Sequence, residues 1–103
     1  MVKVEWTERA SADLKEIFEY IASDSVLYAD RFVRSLIKAT LKLEVMPRSG
    51  RVVPELDIED IREVIFQNYR IVYRLLNPDK IHILAVIHCA RDFEKVIKEE
   101  WEF

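Results

Sequence analysis

An α+β fold in the order β-α-α-β-β-β-α, an antiparallel sheet with a helical hairpin packed on one face, is what this sequence predicts. Three observations carry that expectation. Two apolar stripes of helical period occupy residues 10–43, three β-rich runs separated by hairpin breaks occupy residues 61–88, and a short period-2 run opens the chain.

Val2, Val4 and Trp6 alternate with Lys3 and Glu5, so the chain begins as a strand with one buried face. Thr7 is placed to cap the next helix, and Glu8 suits the positive end of its dipole. Ala10, Leu14, Ile17, Phe18 and Ile21 then follow the spacing of one helical stripe. Ser23-Asp24-Ser25 offers a second cap, after which Ala29, Phe32, Val33, Leu36, Thr40 and Leu43 form another stripe that Pro47 ends. So short a connection implies an antiparallel hairpin of helices.

Arg48-Ser49-Gly50-Arg51 contains the single glycine and reads as a turn, and the acidic stretch Glu55 to Asp60, which lacks periodicity, reads as a surface loop. Ile61 to Phe66, Tyr69 to Leu76 and Ile81 to His88 are joined by Gln67-Asn68 and by Asn77-Pro78-Asp79-Lys80, which predicts an antiparallel meander. Ile81, Ile83, Ala85 and Ile87 alternate with His82, Leu84, Val86 and His88; both sets are largely apolar, as in a central strand. Asp92 caps a last helix carrying Phe93, Val96, Ile97 and Trp101 on one side.

Two helices of about four turns cover one face of a four-stranded sheet and leave the other partly open. On the middle strand Tyr69, Ile71, Tyr73 and Leu75 make the better core set, which projects Arg70 and Arg74 from the open face. Arginines in a small apolar sheet lose hydration unless each meets a carboxylate, a phosphate or water, so they ask for an anionic partner or an internal ion pair. For Arg70 the internal alternative is Glu63 or the acidic 55–60 loop.

The 103 residues, half of them apolar, fit one domain spanning 1–103 that buries roughly two thirds of its unfolded surface. No run approaches the roughly 20 apolar residues of a membrane span, and Met1-Val2-Lys3-Val4 lacks the apolar stretch of a signal peptide, which points to the cytoplasm. The single cysteine, Cys89, excludes an internal disulfide. His82 and His88, six apart and so on one face of a regular strand, have no carboxylate at matching spacing, so neither metal nor cofactor is expected.

The net charge of −3 argues against a generic nucleic-acid coat, yet it conceals blocks of alternating sign. Residues 29–52 carry six basic and two acidic residues, whereas 53–63 carry one basic and five acidic. The basic block is either a solvated face or a patch formed with the arginine strands.

Six features in this order resemble the RelE/ParE toxin superfamily. They are Trp6-Thr7-Glu8-Arg9-Ala10, the Phe32 helix ending at Pro47, the Gly50-Arg51 turn, Ile61-Arg62-Glu63, Tyr69-Arg70-Ile71 and His88-Cys89-Ala90-Arg91-Asp92. The resemblance spans nearly the whole chain and implies a RelE-like fold. It also implies a toxin, of the kind also described as plasmid stabilisation proteins, encoded beside an antitoxin that wraps and silences it. The RelE branch cleaves messenger RNA on the translating ribosome without metal, using the RNA's own 2′-hydroxyl. The ParE branch poisons DNA gyrase by protein contact.

Carried over by position, Arg70 matches the arginine that RelE-type enzymes set against the scissile phosphate, and Arg91 the basic residue after the last strand. Arg62 lies where those enzymes carry lysines, and His88 is a candidate general base. The tyrosine that RelE-type enzymes hold in the final segment has no match here. That absence, the missing lysines and the acidic balance favour a ParE-like growth inhibitor acting on a protein such as gyrase, with Arg70, Arg74 and Arg91 as target- or antitoxin-binding residues. RelE-like mRNA cleavage by Arg70, Arg62, His88 and Arg91 is the alternative, and a non-toxic antitoxin-binding relic is a third. Partners are therefore a cognate antitoxin and either gyrase or the ribosome with its message. Leu27 and Tyr28 offer a homodimer surface, and the sequence leaves a homodimer and a toxin–antitoxin hetero-oligomer both open.

Overall fold

A computed structural model describes the backbone of residues 1–100 and the side chains of 1–97. Strand β1 (Lys3–Trp6) leads into α1 (Glu8–Ala22) and α2 (Val26–Leu41), followed by a 3₁₀ turn, Lys42–Glu44. Then come β2 (Arg51–Val52), β3 (Ile61–Phe66), β4 (Tyr69–Asn77), β5 (Lys80–His88) and α3 (Phe93–Glu100). The strands form one sheet in the order β1-β5-β4-β3-β2. The meander β3-β4-β5 is antiparallel as expected, while β1 joins β5 in parallel and the two-residue β2 adds a short edge that the sequence reading left out. Trp101 lies outside the described residues.

The helix starts are set by their caps. The Thr7 hydroxyl accepts from the Ala10 N–H at 3.1 Å and donates to the Ile83 carbonyl at 2.8 Å, so one side chain both opens α1 and ties it to β5. Ser25 accepts from the Tyr28 N–H at the start of α2. Beneath the hairpin, Ala10, Ile17, Leu36 and Leu43 pack on Ile71, Tyr73, Ile81, Ile83 and Val86, with Val4 and Trp6 from β1.

The second face departs from the expectation of an open sheet. Val53, Ile61, Val72, Ala85, Ile87, Phe93 and Val96 form a second buried cluster, because the loop after β2 and α3 fold across that face. Asp92 starts α3, its carboxylate accepting from Lys95 N–H at 3.3 Å. Burying a side chain such as Phe93 contributes about 1.5–3 kcal/mol, which gives the last helix its hold.

Strand β5 contains an extra residue. Val72 pairs with Ala85 and Tyr73 with Ile83, leaving Leu84 as a bulge. Ile81 and Ile83 face the helices, and after the bulge so does Val86, whereas Ala85 and Ile87 face α3. The strand alternation read from the sequence therefore breaks at Leu84, and His82 and His88 end on opposite faces.

Gly50 sits where no side chain fits: a Cβ there would lie 2.6 Å from the Glu63 carbonyl oxygen and 2.7 Å from the Tyr73 hydroxyl. Its N–H donates to that hydroxyl at 3.0 Å, and the hydroxyl donates to the Pro47 carbonyl at 2.8 Å. Close approach, with no positive φ, is what calls for glycine here.

Candidate functional site

Arg70 does not stand clear of the protein. Its guanidinium donates through Nε to Glu63 at 2.7 Å and through its two terminal nitrogens to both oxygens of Glu55, at 2.8 and 2.7 Å. The Phe93 ring covers it, 4.2 Å from Cζ to the ring centroid. The Arg70 side chain is 11% exposed and that of Glu63 fully buried. Glu63 also receives Arg51 at 2.6 Å, so one buried carboxylate joins two arginines. These bonds hold Glu55 below the ordinary carboxylate range and push Arg70 upward, Glu55 being the larger cause. The expectation of a free Arg70 on an open face is corrected: its register on β4 is as read, but α3 and the 53–57 loop cover it and two carboxylates occupy its fork.

Arg62 is engaged as well. Its Nε donates to the Glu59 carbonyl at 3.1 Å and a terminal nitrogen to the Gly50 carbonyl at 3.0 Å, which pins the turn carrying Gly50. It lies on the helix-facing side of β3, opposite to Arg70.

His88 and Arg91 do come together. With Asp13, Glu16, Tyr20 and Tyr69 they line a cleft of about 350 Å³ between α1 and the ends of β4 and β5. The His88 ring meets Tyr69 edge to face at 5.1 Å, and its Nδ1 accepts from the Ala90 N–H at 3.0 Å. The proton of the neutral imidazole therefore sits on Nε2. Strand β1 pairs with β5 as far as Ile83. Beyond that point Asp13 substitutes for a strand, accepting from the Val86 N–H at 2.9 Å and from Arg9 Nε at 3.1 Å. Burial raises the Asp13 pKa, and burial likewise raises that of Tyr69.

Two surfaces complete the inventory. Arg74 is exposed, as expected, on the part of the second face that α3 leaves uncovered. Its strand neighbour is His82, beside Glu5, which Lys80 contacts at 3.1 Å; that bond to Lys80 lowers the Glu5 pKa. On the outside of the hairpin an apolar groove of about 430 Å³ is lined by Trp6, Leu14, Phe18, Val33 and Ile37, with Lys15 at its rim.

The four residues of a RelE-type set are thus divided. Arg70 faces α3, while Arg62 and His88 face the helices at separate ends of the sheet. The internal alternative for Arg70, Glu63 or the 55–60 loop, is what the structure shows, through Glu63 and, from that loop, Glu55, whereas sequence reasoning missed Asp13. Asp13 lies on the polar flank of α1 and Glu55 in an aperiodic loop, so only the fold brings them to their partners. Among the described residues no group of three or more His, Cys, Asp or Glu is placed to hold a metal ion, and no helix is long and apolar enough to cross a membrane.

Comparison with known proteins gives a consistent answer. The family model of the ParE toxin of the type II toxin–antitoxin system parDE matches residues 4–93. A relative named Toxin RelE2, from Caulobacter vibrioides, is 33% identical over 91 residues, covering 88% of this chain and 99% of that protein. Among solved structures, a chain of the chromosomal ParDE TA system from P. aeruginosa superposes with a TM-score of 0.71 at 21% identity, covering 85% of this chain and 96% of that one. The α+β fold is shared with that neighbour. The chain belongs to the ParE toxin family of type II toxin–antitoxin systems, within the RelE/ParE superfamily.

Proposed function

We propose that this chain inhibits growth as ParE-like toxins do, through contact with a cytoplasmic protein target such as DNA gyrase, and that a cognate antitoxin neutralises it. The observation that carries the reading is the occupied fork of Arg70. Phosphoryl-transfer catalysis needs a cation free to meet charge as it develops, and here Glu55 and Glu63 already fill that role. His88, the candidate base, lies on the other face of the sheet, so the two cannot act on one phosphate from these positions. Protein contact needs no such convergence.

The antitoxin fits the outside of the hairpin. The groove of Trp6, Leu14, Phe18, Val33 and Ile37 is apolar with a Lys15 rim, which suits an amphipathic acidic segment that folds as it binds. Arg74 and Arg91, both exposed, supply further contacts for such a segment or for the target. RelE-like cleavage of messenger RNA is the second reading, favoured by the 33% identity to a relative named Toxin RelE2. It requires Glu55 to release Arg70.

Induction in cells separates the two. The protein-target reading expects plasmid supercoiling to fail while messages stay intact; message cleavage on ribosomes that is abolished in Arg70→Ala overturns it. Co-expression with the adjacent open reading frame restores growth, and Phe18→Glu removes that rescue.

A further inference from the structure

The cations of this chain are unevenly matched. Around the sheet most meet partners within the protein: Arg48 reaches Glu59 and Asp60, Arg51 and Arg70 reach Glu63, Lys80 reaches Glu5 and Arg62 reaches backbone carbonyls, with Arg74 exposed. Helix α2 breaks this pattern. At about 100° per residue, Arg31, Arg34, Ser35 and Lys38 fall, together with the exposed Leu27 of the first turn, in a sector of about 100° opposite the buried Ala29, Leu36 and Thr40. Lys42, which opens the 3₁₀ turn, extends the same line.

All four cations are exposed. Arg34 alone has a carboxylate, Asp30 at 2.9 Å, and with side chains 77% and 49% exposed that pair holds little energy. Arg31, Lys38 and Lys42 have no ion-pair partner among the described residues. No acidic or aromatic residue falls in the sector. From Arg31 to Lys42 the line runs about 16 Å at 1.5 Å per residue.

We propose that this outer face of α2 is a docking surface for the phosphate backbone of duplex DNA, with Arg31, Arg34, Lys38 and Lys42 as its contacts. A row of cations on a rigid helix, three of the four without a carboxylate partner among the described residues, matches a row of phosphates, and each contact gains by releasing condensed counterions. A single strand is the poorer fit, because the sector holds no ring on which a base could stack. An acidic peptide is also poorer. It would have to order itself on a row whose one apolar side chain is Leu27, in the first turn, whereas a duplex is ordered beforehand. Val33 and Ile37 lie outside the sector, so an occupant of the hairpin groove leaves the cations exposed. The proposal is therefore independent of which target the toxin has.

Fluorescence anisotropy with a labelled duplex of about 20 base pairs tests it, at about 50 and 200 mM salt. The expected result is binding whose log–log salt slope is about −3 to −4, from roughly 0.9 for each of the four phosphates met. Arg31→Glu/Lys38→Glu is expected to weaken binding at least about tenfold at the lower salt and to cut the slope by about 2. Arg48→Glu, at a cation already matched by Glu59 and Asp60, should leave the affinity unchanged. The proposal fails if the duplex does not bind at the lower salt, or if the double variant, shown to be folded by circular dichroism, binds as the parent does. It fails equally if a polyglutamate peptide or a single strand of the same sequence binds more tightly than the duplex.

Discussion

The two faces of the sheet solve different problems with the same strands. The helix-facing side is an apolar core with its polar groups at the margins, Asp13 and His88 in a cleft at one end and Arg62 beside the Gly50 turn at the other. The α3-facing side buries charge: Arg70 lies beneath Phe93 and beside Ile87, bound to Glu63, beside Val72, and to the partly buried Glu55. The contrast teaches that an arginine on a strand is no evidence of a working surface until its carboxylates have been sought. Guanidiniums matched from within hold loops and helices in place, and the cations left unmatched are the ones available to partners.

The sharpest way to break this comparison is Arg70→Met. It strips the buried Glu63 of one of its two cations and Glu55 of its fork, and a loss of about 3–5 kcal/mol in urea denaturation is expected. A loss under about 1 kcal/mol would mean that the network does not hold the second face, and Arg70 would return as a candidate for function. Gly50→Ala comes next. The clash with the Glu63 carbonyl and Tyr73 should cost about 1–3 kcal/mol, read in the same experiment.

Acid titration of the parent beside a Glu55 variant isolates that carboxylate from the others. Its folded pKa lies below the ordinary 4.5, so its stabilisation is present above that value and is lost as pH falls through the folded value. Glu55→Gln should therefore flatten the fall in stability below about pH 4.5, by at most about 1.4 kcal/mol per pH unit. Equal slopes in parent and variant would place the acid sensitivity elsewhere. On the opposite face Asp13→Ala orphans the Val86 N–H and should cost about 1 kcal/mol. Because burial already opposes the Asp13 charge, Asp13→Asn, which keeps an acceptor, should stay within about 0.5 kcal/mol of the parent.

Much of the architecture was legible locally. Thr7 and Ser25 announced the helix starts, and the alternation of β4 assigned Tyr69, Ile71 and Tyr73 to one face and Arg70 and Val72 to the other. Charge matching was half legible. Glu63 shares a face with Arg70 and the acidic 55–60 loop was in view as a partner, but that loop has no periodicity, so nothing local singles out Glu55 within it or says that it folds back across the sheet. The packing of α3 was hidden for the same reason, since it depends on the direction in which the chain leaves β5 after His88. Gly50 read as a turn residue, whereas its neighbours Tyr73 and Glu63 are what exclude a side chain.

Leu84 has a consequence for how this strand tolerates change. Before it, odd-numbered positions look toward the hairpin; after it, even-numbered ones do, so the chain carries a parity switch. Deleting this one residue would restore a uniform pleat while leaving Ala85 and Ile87 toward α3 and Val86 and His88 toward the helices, so both cores would keep their side chains.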